Sequence, residues 1–227
     1  MLCYIMGKSG SGKDMIYRRL LSDPQLHLKP LVMYTTRPIR SDEIDGRDYH
    51  FTDEEHLQKL LDAGKVIELR QYHTMHGLWS YFTVDDEQLS SLAAGHAAAA
   101  ALDQETKTSD PGTAVPAAPG KEHILGIGTL QSWKQLKNYY GESQLVPVYL
   151  EVEDGLRLSR ALKRERKQKQ PKYEEMCRRF LADQEDFSEE RLKDAGITKF
   201  FQNNLEKDDC FQEVKAYLLD RLEGECV

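Results

Sequence analysis

Near its start the chain reads Gly7-Lys8-Ser9-Gly10-Ser11-Gly12-Lys13, which matches the pattern G-x-x-x-x-G-K of a phosphate-binding loop. The apolar run Leu2 to Met6 comes before this loop, and residues 14–21 after it carry apolar side chains at helical spacing. The motif requires this order, with a strand before the loop and a helix after it. The sequence therefore predicts a strand, a glycine loop and a helix, with backbone N–H groups turned toward a bound phosphate.

Each part of the loop has an expected role with ATP. The glycines let the backbone wrap around the phosphates, and Lys13 reaches the β- and γ-phosphates. The position after the lysine usually holds Ser or Thr as a ligand of Mg²⁺, but here it holds Asp14. A carboxylate can also bind Mg²⁺, so Asp14 indicates either an altered metal site or a loop that has lost catalysis. The expected ATP-binding residues are Gly7, Ser9, Gly10, Ser11, Gly12, Lys13 and Asp14.

The composition excludes several classes of protein. The 227 residues are 40% hydrophobic, and the longest apolar runs, six residues, are too short to span a membrane. The first run lacks the flanks of a signal peptide, which indicates a cytoplasmic protein. The net charge of −7 argues against nucleic-acid binding by the whole surface, and four scattered cysteines indicate neither disulfides nor zinc. We expect one domain over residues 1–227, with no nucleic-acid or membrane partner and an oligomeric state that the sequence leaves unknown.

Strands alternate with helices along the chain, which predicts an α/β fold on a mostly parallel sheet. Thr52 and Glu55 have capping-box spacing ahead of the helix expected at 53–63. Residues 93–120 are rich in Ala, Gly and Pro and cannot bury much apolar surface, so they predict a flexible insertion. The expected strands are 2–6, 30–34, 66–72, 81–84, 123–127, 145–151 and 197–201. The other expected helices are 14–21, 130–139, 154–187 with a break near Pro171, and 208–222.

A second candidate anion site lies in residues 33–51. Thr35-Thr36-Arg37, Arg40, Glu43, Gly46 and Asp48-Tyr49-x-Phe51 occur there in order. This stretch resembles the acceptor motif of guanylate kinases, T-T-R-x-x-R-x-x-E-x-x-G-x-D-Y-x-F, at every fixed position. The resemblance extends over the chain apart from residues 93–120. It implies a P-loop NTPase three-layer fold, with a small β-rich acceptor-binding subdomain at 35–84 and a helical lid at 164–172.

The resemblance also implies an activity: transfer of the γ-phosphoryl group of ATP to GMP, with Mg²⁺. Two guanidinium groups and a tyrosine hydroxyl suit a phosphate dianion, because their hydrogen bonds to it are charge-assisted. Glu68 stands where the family has the glutamate that accepts hydrogen bonds from guanine. The expected acceptor-binding residues are Arg37, Arg40, Glu43, Tyr49, Glu68 and Tyr81.

A basic stretch follows in the second half of the chain. Residues 157–179 hold ten basic and three acidic side chains. Such a run is either a solvated helix face or, as the resemblance implies, the mobile lid whose arginines close over the transferring phosphoryl group. The expected catalytic residues are Lys13, Arg160, Arg164 and Arg179.

Three residues depart from the guanylate kinase pattern. Met33 stands where the family has a serine, and Gly126 and Gly128 stand where it has aspartates that serve the metal and the base. We hypothesise that Asp14 replaces part of this lost negative charge as the metal ligand. Two alternatives stay open: a kinase of another phosphomonoester, and a catalytically inactive module that binds a phosphorylated partner.

Overall fold

A computed structural model describes residues 1–74, 77–89, 123–204 and 207–223. The strands are β1 Leu2–Met6, β2 Leu28–Pro30, β3 Tyr34–Thr35, β4 His50–Phe51, β5 Val66–Thr74, β6 Gly77–Val84, β7 His123–Ile127, β8 Leu145–Glu151 and β9 Phe200–Gln202. The helices are α1 Lys13–Leu21, α2 Glu54–Asp62, α3 Leu130–Tyr140, α4 Asp154–Glu165, α5 Tyr173–Asp186, α6 Glu189–Asp194 and α7 Lys207–Glu223.

The main sheet has the strand order β2-β7-β1-β8-β9, and all its pairs are parallel. Its central strand, β1, is covered on both faces. Leu2, Tyr4 and Met6 pack into a core cluster with α3, whereas Cys3 and Ile5 pack into another with α1 and α7. A strand buried on both faces has a continuous apolar sequence, as β1 does. The expected α/β fold on a mostly parallel sheet is confirmed.

The second sheet has the order β4-β3-β6-β5, and its four strands all come from the first half of the chain. Its longest pair is the antiparallel hairpin of β5 and β6, in which Glu68 is opposite Thr83 and Arg70 is opposite Tyr81. Because side chains alternate along a strand, these four residues share one face of the hairpin. Phe82 lies on the other face and packs with residues of α2 and β6 in a small core of its own.

One expected strand is divided between the two sheets. The sequence predicted a strand at 30–34, but β2 ends at Pro30 on the main sheet and β3 begins at Tyr34 on the second. Between them, the backbone N–H of Val32 donates to Gln88 Oε1, which replaces a ladder hydrogen bond. The apolar run therefore crosses from one sheet to the other and is not a single strand.

Two other expectations differ at element ends. Asp53, and not Thr52, caps α2, because its carboxylate accepts the backbone N–H of His56 at 2.8 Å, while the Thr52 hydroxyl bonds the His56 ring. The last strand begins at Phe200 and not at Ile197. The backbone N–H of Ile197 donates to Leu192 O and so completes the end of α6, a helix the sequence did not predict.

The expected insertion at 93–120 lies outside the described residues. In the described ranges, no helix has the length and apolar character needed to cross a membrane.

Candidate active site

The glycine loop connects the end of β1 to the start of α1, at the carboxyl edge of the main sheet. Ligands of α/β proteins bind at this edge, next to a strand with neighbours on both sides. Gly10 and Gly12 have φ of +83° and +84°, and a Cβ on Gly12 would lie 2.5 Å from Asn203 Nδ2. That amide donates to Ser11 O at 2.7 Å. The close approach of Asn203 therefore requires glycine at position 12.

Helices α4 and α5 hold the loop from the other side. Asp183 on α5 accepts the backbone N–H of Ser9 at 2.7 Å, and Arg157 on α4 donates to Ser9 O at 3.1 Å. Arg157 also pairs with Asp183 at 3.1 Å and with Asp154 at 3.0 Å. Its side chain is fully buried, and its guanidinium stacks on Phe180. Both polar backbone groups of Ser9 are thus fixed by one buried ion pair.

A cavity of about 350 Å³ opens beside the loop. The loop contributes Lys13 and Asp14 to its wall, and the expected catalytic residues Arg160, Arg164 and Arg179 line it too. The structure thus brings together all four side chains expected to be catalytic and the expected metal ligand. Their convergence creates a strongly cationic space next to backbone N–H groups, which suits phosphate oxygens.

Lys13 is in a mostly buried position within this cavity. Burial lowers the pKa of its ammonium group, and nearby Arg164 and Arg157 lower it further, while Asp14 and Asp183 act in the opposite direction. A bound polyphosphate would supply the negative charge that this buried ammonium lacks. The lysine is therefore placed in a site that becomes electrostatically balanced when an anion enters.

The arginines of the cavity differ in what they contact. Arg160 donates to Asn203 O at 3.0 Å and to Gly10 O at 3.4 Å, so it braces the loop. Arg179 is more exposed and pairs with Glu175 one helical turn earlier, at 2.8 Å. Hydrogen bonds from Arg178 and Arg179 lower the pKa of Glu175 to about 2. Arg179 is therefore held beside the cavity by a neighbour on its own helix.

In the acceptor motif, Arg37 is buried and bound to Glu43. Its Nη1 and Nη2 donate to the two carboxylate oxygens at 2.9 and 2.8 Å, and these bonds raise the pKa of Arg37 and lower that of Glu43. Thr35 positions the segment, because its hydroxyl accepts the backbone N–H of Arg37 and donates to Ser80 O. Arg37 Nε is buried without a hydrogen-bond partner among the described residues. Arg37 is thus held by Glu43 and buried from solvent.

Tyr49 lies next to this guanidinium, with Arg37 5.5 Å from its ring centre and Tyr81 packed edge-on against it. Burial raises the pKa of Tyr49, so the phenol remains a hydrogen-bond donor. Arg40 reaches elsewhere: it lines a cavity of about 540 Å³ together with Arg164 and Arg179. The acceptor motif and the lid therefore meet around the cavity that adjoins the glycine loop.

Glu68, the residue expected to read guanine, is buried and fully engaged. Arg70 Nε and Nη2 donate to its two oxygens at 2.9 and 3.1 Å, and the Thr83 hydroxyl donates at 3.0 Å. Arg70 Nη2 also contacts Met33 Sδ at 3.3 Å. The sequence analysis did not single out Arg70, since an arginine in a strand gives no sign of pairing two residues back.

The room of the two missing aspartates is filled by Tyr4. A Cβ on Gly126 would lie 2.6 Å from the Tyr4 ring, and a Cβ on Gly128 would lie 2.1 Å from its hydroxyl. That hydroxyl forms a 2.7 Å hydrogen bond with Ser132 Oγ at the start of α3. The glycines at the end of β7 are therefore required by the large side chain that β1 places against them.

The metal-binding capacity of the site rests on few groups. The described residues contain no group of three or more His, Cys, Asp or Glu side chains that could hold a metal ion. Asp14 is the acidic side chain that lines the 350 Å³ cavity. Mg²⁺ in nucleotide sites is commonly bound by one or two carboxylates together with phosphate oxygens and water. One carboxylate beside a phosphate-binding loop fits that requirement.

Comparison with known proteins finds a likeness in the first half of the chain. The family model for guanylate kinase matches residues 2–107, a range that includes the glycine loop, the acceptor motif and Glu68. This half of the chain is similar to guanylate kinases. The guanylate kinase of Brucella melitensis is 38% identical over 73 residues, and that of Methylobacillus flagellatus is 39% identical over 95 residues.

These matches cover only part of each protein. They span 32% and 42% of this chain and 33% and 45% of the two relatives. The fold likeness extends further: a crystal structure of guanylate kinase from Anaplasma phagocytophilum matches with a TM-score of 0.53 over 99% of this chain and 85% of that one, at 15% identity. The lid half of the chain is thus similar to a guanylate kinase in fold.

The sequence analysis did not identify Arg157, Asp183 and Asn203, whose side chains form hydrogen bonds with the backbone of the glycine loop. Arg157 was one of ten basic residues in a charged run, and Asp183 was not noted. The i, i+3 spacing of Asp154 and Arg157 was a weak signal, because such pairs are common on exposed helices. Asn203 follows the last strand, a position from which a side chain can reach the loop after β1.

Proposed function

We propose that this protein transfers the γ-phosphoryl group of ATP to GMP, giving ADP and GDP. One observation carries the proposal: the glycine loop, Arg40 of the acceptor motif and the basic helices line two adjoining cavities that share Ser9, Arg164 and Arg179. A donor phosphate beside Lys13 would then lie next to an acceptor phosphate beside Arg40. Such proximity turns a reaction between two bound anions into an intramolecular step.

The roles of the side chains follow from charge. Lys13 and the loop N–H groups would hold the β- and γ-phosphates, while Arg160 keeps the loop in place. Arg40, Arg37 and the Tyr49 hydroxyl would hold the acceptor phosphate. Its oxygen is already anionic near neutral pH, so no general base is needed. Arg164 and Arg179 would neutralise the charge that spreads over the equatorial oxygens during transfer.

Mg²⁺ belongs to the same proposal, with Asp14 as its protein ligand. When bound, the ion would neutralise phosphate charge and orient the γ-phosphoryl group for in-line transfer. Asp14 is the first residue after Lys13 and lines the same cavity, so it can serve the ion only beside the phosphates. The cytoplasmic location, ATP and GMP as the ligands, and the acceptor subdomain at 35–84 and lid at 164–172 are part of this proposal.

The test is ADP formation from ATP and Mg²⁺ with GMP, AMP, UMP, CMP or simple sugar phosphates as the acceptor. We expect turnover with GMP, none with Lys13→Ala, and a raised KM for GMP with Arg40→Ala. A fully active Lys13→Ala protein would overturn the mechanism. Turnover with sugar phosphates alone would favour the kinase of another phosphomonoester. Binding of GMP without turnover would favour the inactive binding module.

A further inference from the structure

One face of the β5–β6 hairpin adjoins the acceptor motif, because Tyr81 on this face contacts Tyr49. Tyr81 packs edge-on against Tyr49 and lies opposite Arg70 in the strand register. Arg70 is followed along the same face by Glu68 and its partner Thr83. A ligand whose phosphate lies at Tyr49 therefore meets the pair of Arg70 and Glu68 with its other end.

This pair offers a different chemistry from a bare glutamate. Both oxygens of Glu68 already accept hydrogen bonds from Arg70, and one also accepts from Thr83. A carboxylate that accepts two hydrogen bonds from a guanidinium is largely neutralised by its positive charge. It also has fewer lone pairs left to accept hydrogen bonds from a ligand. The side chain of Glu68 is wholly buried and that of Arg70 is 9% exposed, so water does not loosen the pair.

Arg70 keeps a donor for the ligand. Its Nε and Nη2 are used by Glu68 and Met33, whereas Nη1 forms no hydrogen bond with another of the described residues. A guanidinium N–H at this place favours an acceptor atom on the base, such as a carbonyl oxygen. It gives no advantage to an amino group on the base.

We propose that Arg70 determines the specificity of the acceptor site by engaging Glu68, so that the site takes purine nucleoside monophosphates without selecting the 2-amino group of guanine. The inference rests on the proposed function, since it assumes a nucleotide whose phosphate lies at Arg37, Arg40 and Tyr49. It concerns the base end of that ligand only.

Three nucleotides test this directly, because GMP, IMP and XMP carry an amino group, a hydrogen and a carbonyl oxygen at C2, with XMP also carrying a proton on N3. Their dissociation constants would be measured by calorimetry on the full chain without ATP. We expect the three values to lie within tenfold of one another. A preference for GMP over IMP and XMP of more than tenfold, or no binding of any of the three, overturns the proposal.

A variant tests the part played by Arg70. Arg70→Gln keeps a side chain of similar reach but cannot bridge both oxygens of Glu68, so it should raise the preference for GMP over XMP by about tenfold, or about 1.4 kcal/mol. Arg191→Gln, which removes an exposed arginine on α6, is the matched control and should leave the ratio unchanged. An unchanged ratio in Arg70→Gln contradicts the proposal.

The two proposals fail separately. If Arg70→Gln does not fold, as a thermal melt would reveal, the three dissociation constants of the unaltered protein still decide the specificity. If GMP, IMP and XMP bind within tenfold but none is phosphorylated, the phosphotransferase proposal fails and the specificity proposal stands.

Discussion

Asp183 and Ser9 lie 174 residues apart in the chain, yet the Asp183 carboxylate accepts the backbone N–H of Ser9 at 2.7 Å. The buried Arg157 holds the carbonyl of the same residue and pairs with Asp183. The backbone N–H and carbonyl of Ser9 are therefore both bound by residues of α4 and α5. The glycine loop is tied to these two helices at Ser9.

This tie predicts a large loss of stability when its charge is removed. Asp183→Asn keeps an oxygen for the Ser9 N–H but removes one of the two carboxylates that pair with the buried Arg157, and Asp154 remains as the other. Weakening the hydrogen bonds of a buried polar group costs about 1–3 kcal/mol. We expect a decrease of that size in the free energy of unfolding, measured with urea. Asp186→Asn, on the exposed side of the same helix, is the control. Equal effects of the two changes would contradict the prediction.

Asp14 should determine how ATP binding depends on Mg²⁺. The carboxylate repels the triphosphate when no metal is present and attracts it through the ion when Mg²⁺ is bound. In Asp14→Ala we expect ATP to bind at least as well without Mg²⁺ as in the unaltered protein, and the gain on adding Mg²⁺ to be largely lost. Titrations of ATP with and without the ion measure both quantities.

The control for this experiment is Asp209→Ala, which changes an exposed carboxylate on α7. It should preserve the Mg²⁺ dependence. If Asp14→Ala also preserves it, the hypothesis that Asp14 took over the metal from the end of β7 is wrong.

Glu175 should compete with phosphate for Arg179. The ion pair between them must open before Arg179 can turn to a phosphoryl group in the cavity. Exposed pairs of this kind are worth about 0.2–1 kcal/mol, which corresponds to at most about fivefold in rate. We expect Glu175→Gln to raise kcat/KM by up to that factor. Glu174→Gln, its exposed neighbour in the sequence, should leave kcat/KM unchanged, and a decrease in Glu175→Gln would refute the competition.

Tyr4 and Gly128 should behave as a coupled pair. A Cβ at position 128 would lie 2.1 Å from the Tyr4 hydroxyl, so Gly128→Ala should lower the free energy of unfolding by about 1–3 kcal/mol through overcrowding. Tyr4→Phe removes the crowding atom together with its hydrogen bond to Ser132. The double variant should therefore lose less than the sum of the two single variants. Simple additivity in thermal or urea unfolding would contradict this contact.

The sequence predicted most of the elements because their signals are local. The loop after β1 and the acceptor motif are contiguous stretches whose spacing limits the backbone, and the structure places their residues around adjoining cavities. The network around Arg157 and Asp183 depends on helices that meet only in the fold. Burial of an arginine cannot be read from a charged run, because the same letters describe a solvated face.

The same reason explains the error at residues 30–34 and the unnoticed Arg70. An apolar run tells that a segment is buried, but not against which sheet, and the crossing at Val32 depends on Gln88 from far along the chain. The sequence shows a glutamate at 68 and an arginine at 70. Their ion pair forms because both side chains lie on one face of the hairpin, where they are buried from water.

The fit of Tyr4 against the two glycines also limits which substitutions these three positions can accept. Placing an aspartate back at position 126 or 128 first meets the tyrosine ring or hydroxyl, at 2.6 and 2.1 Å. Shrinking Tyr4 first opens a void in the core against Trp133. Either order of single substitutions passes through a less stable intermediate. Positions more than a hundred residues apart are thus bound by epistasis, because the cost of a substitution at one depends on the residue at the other.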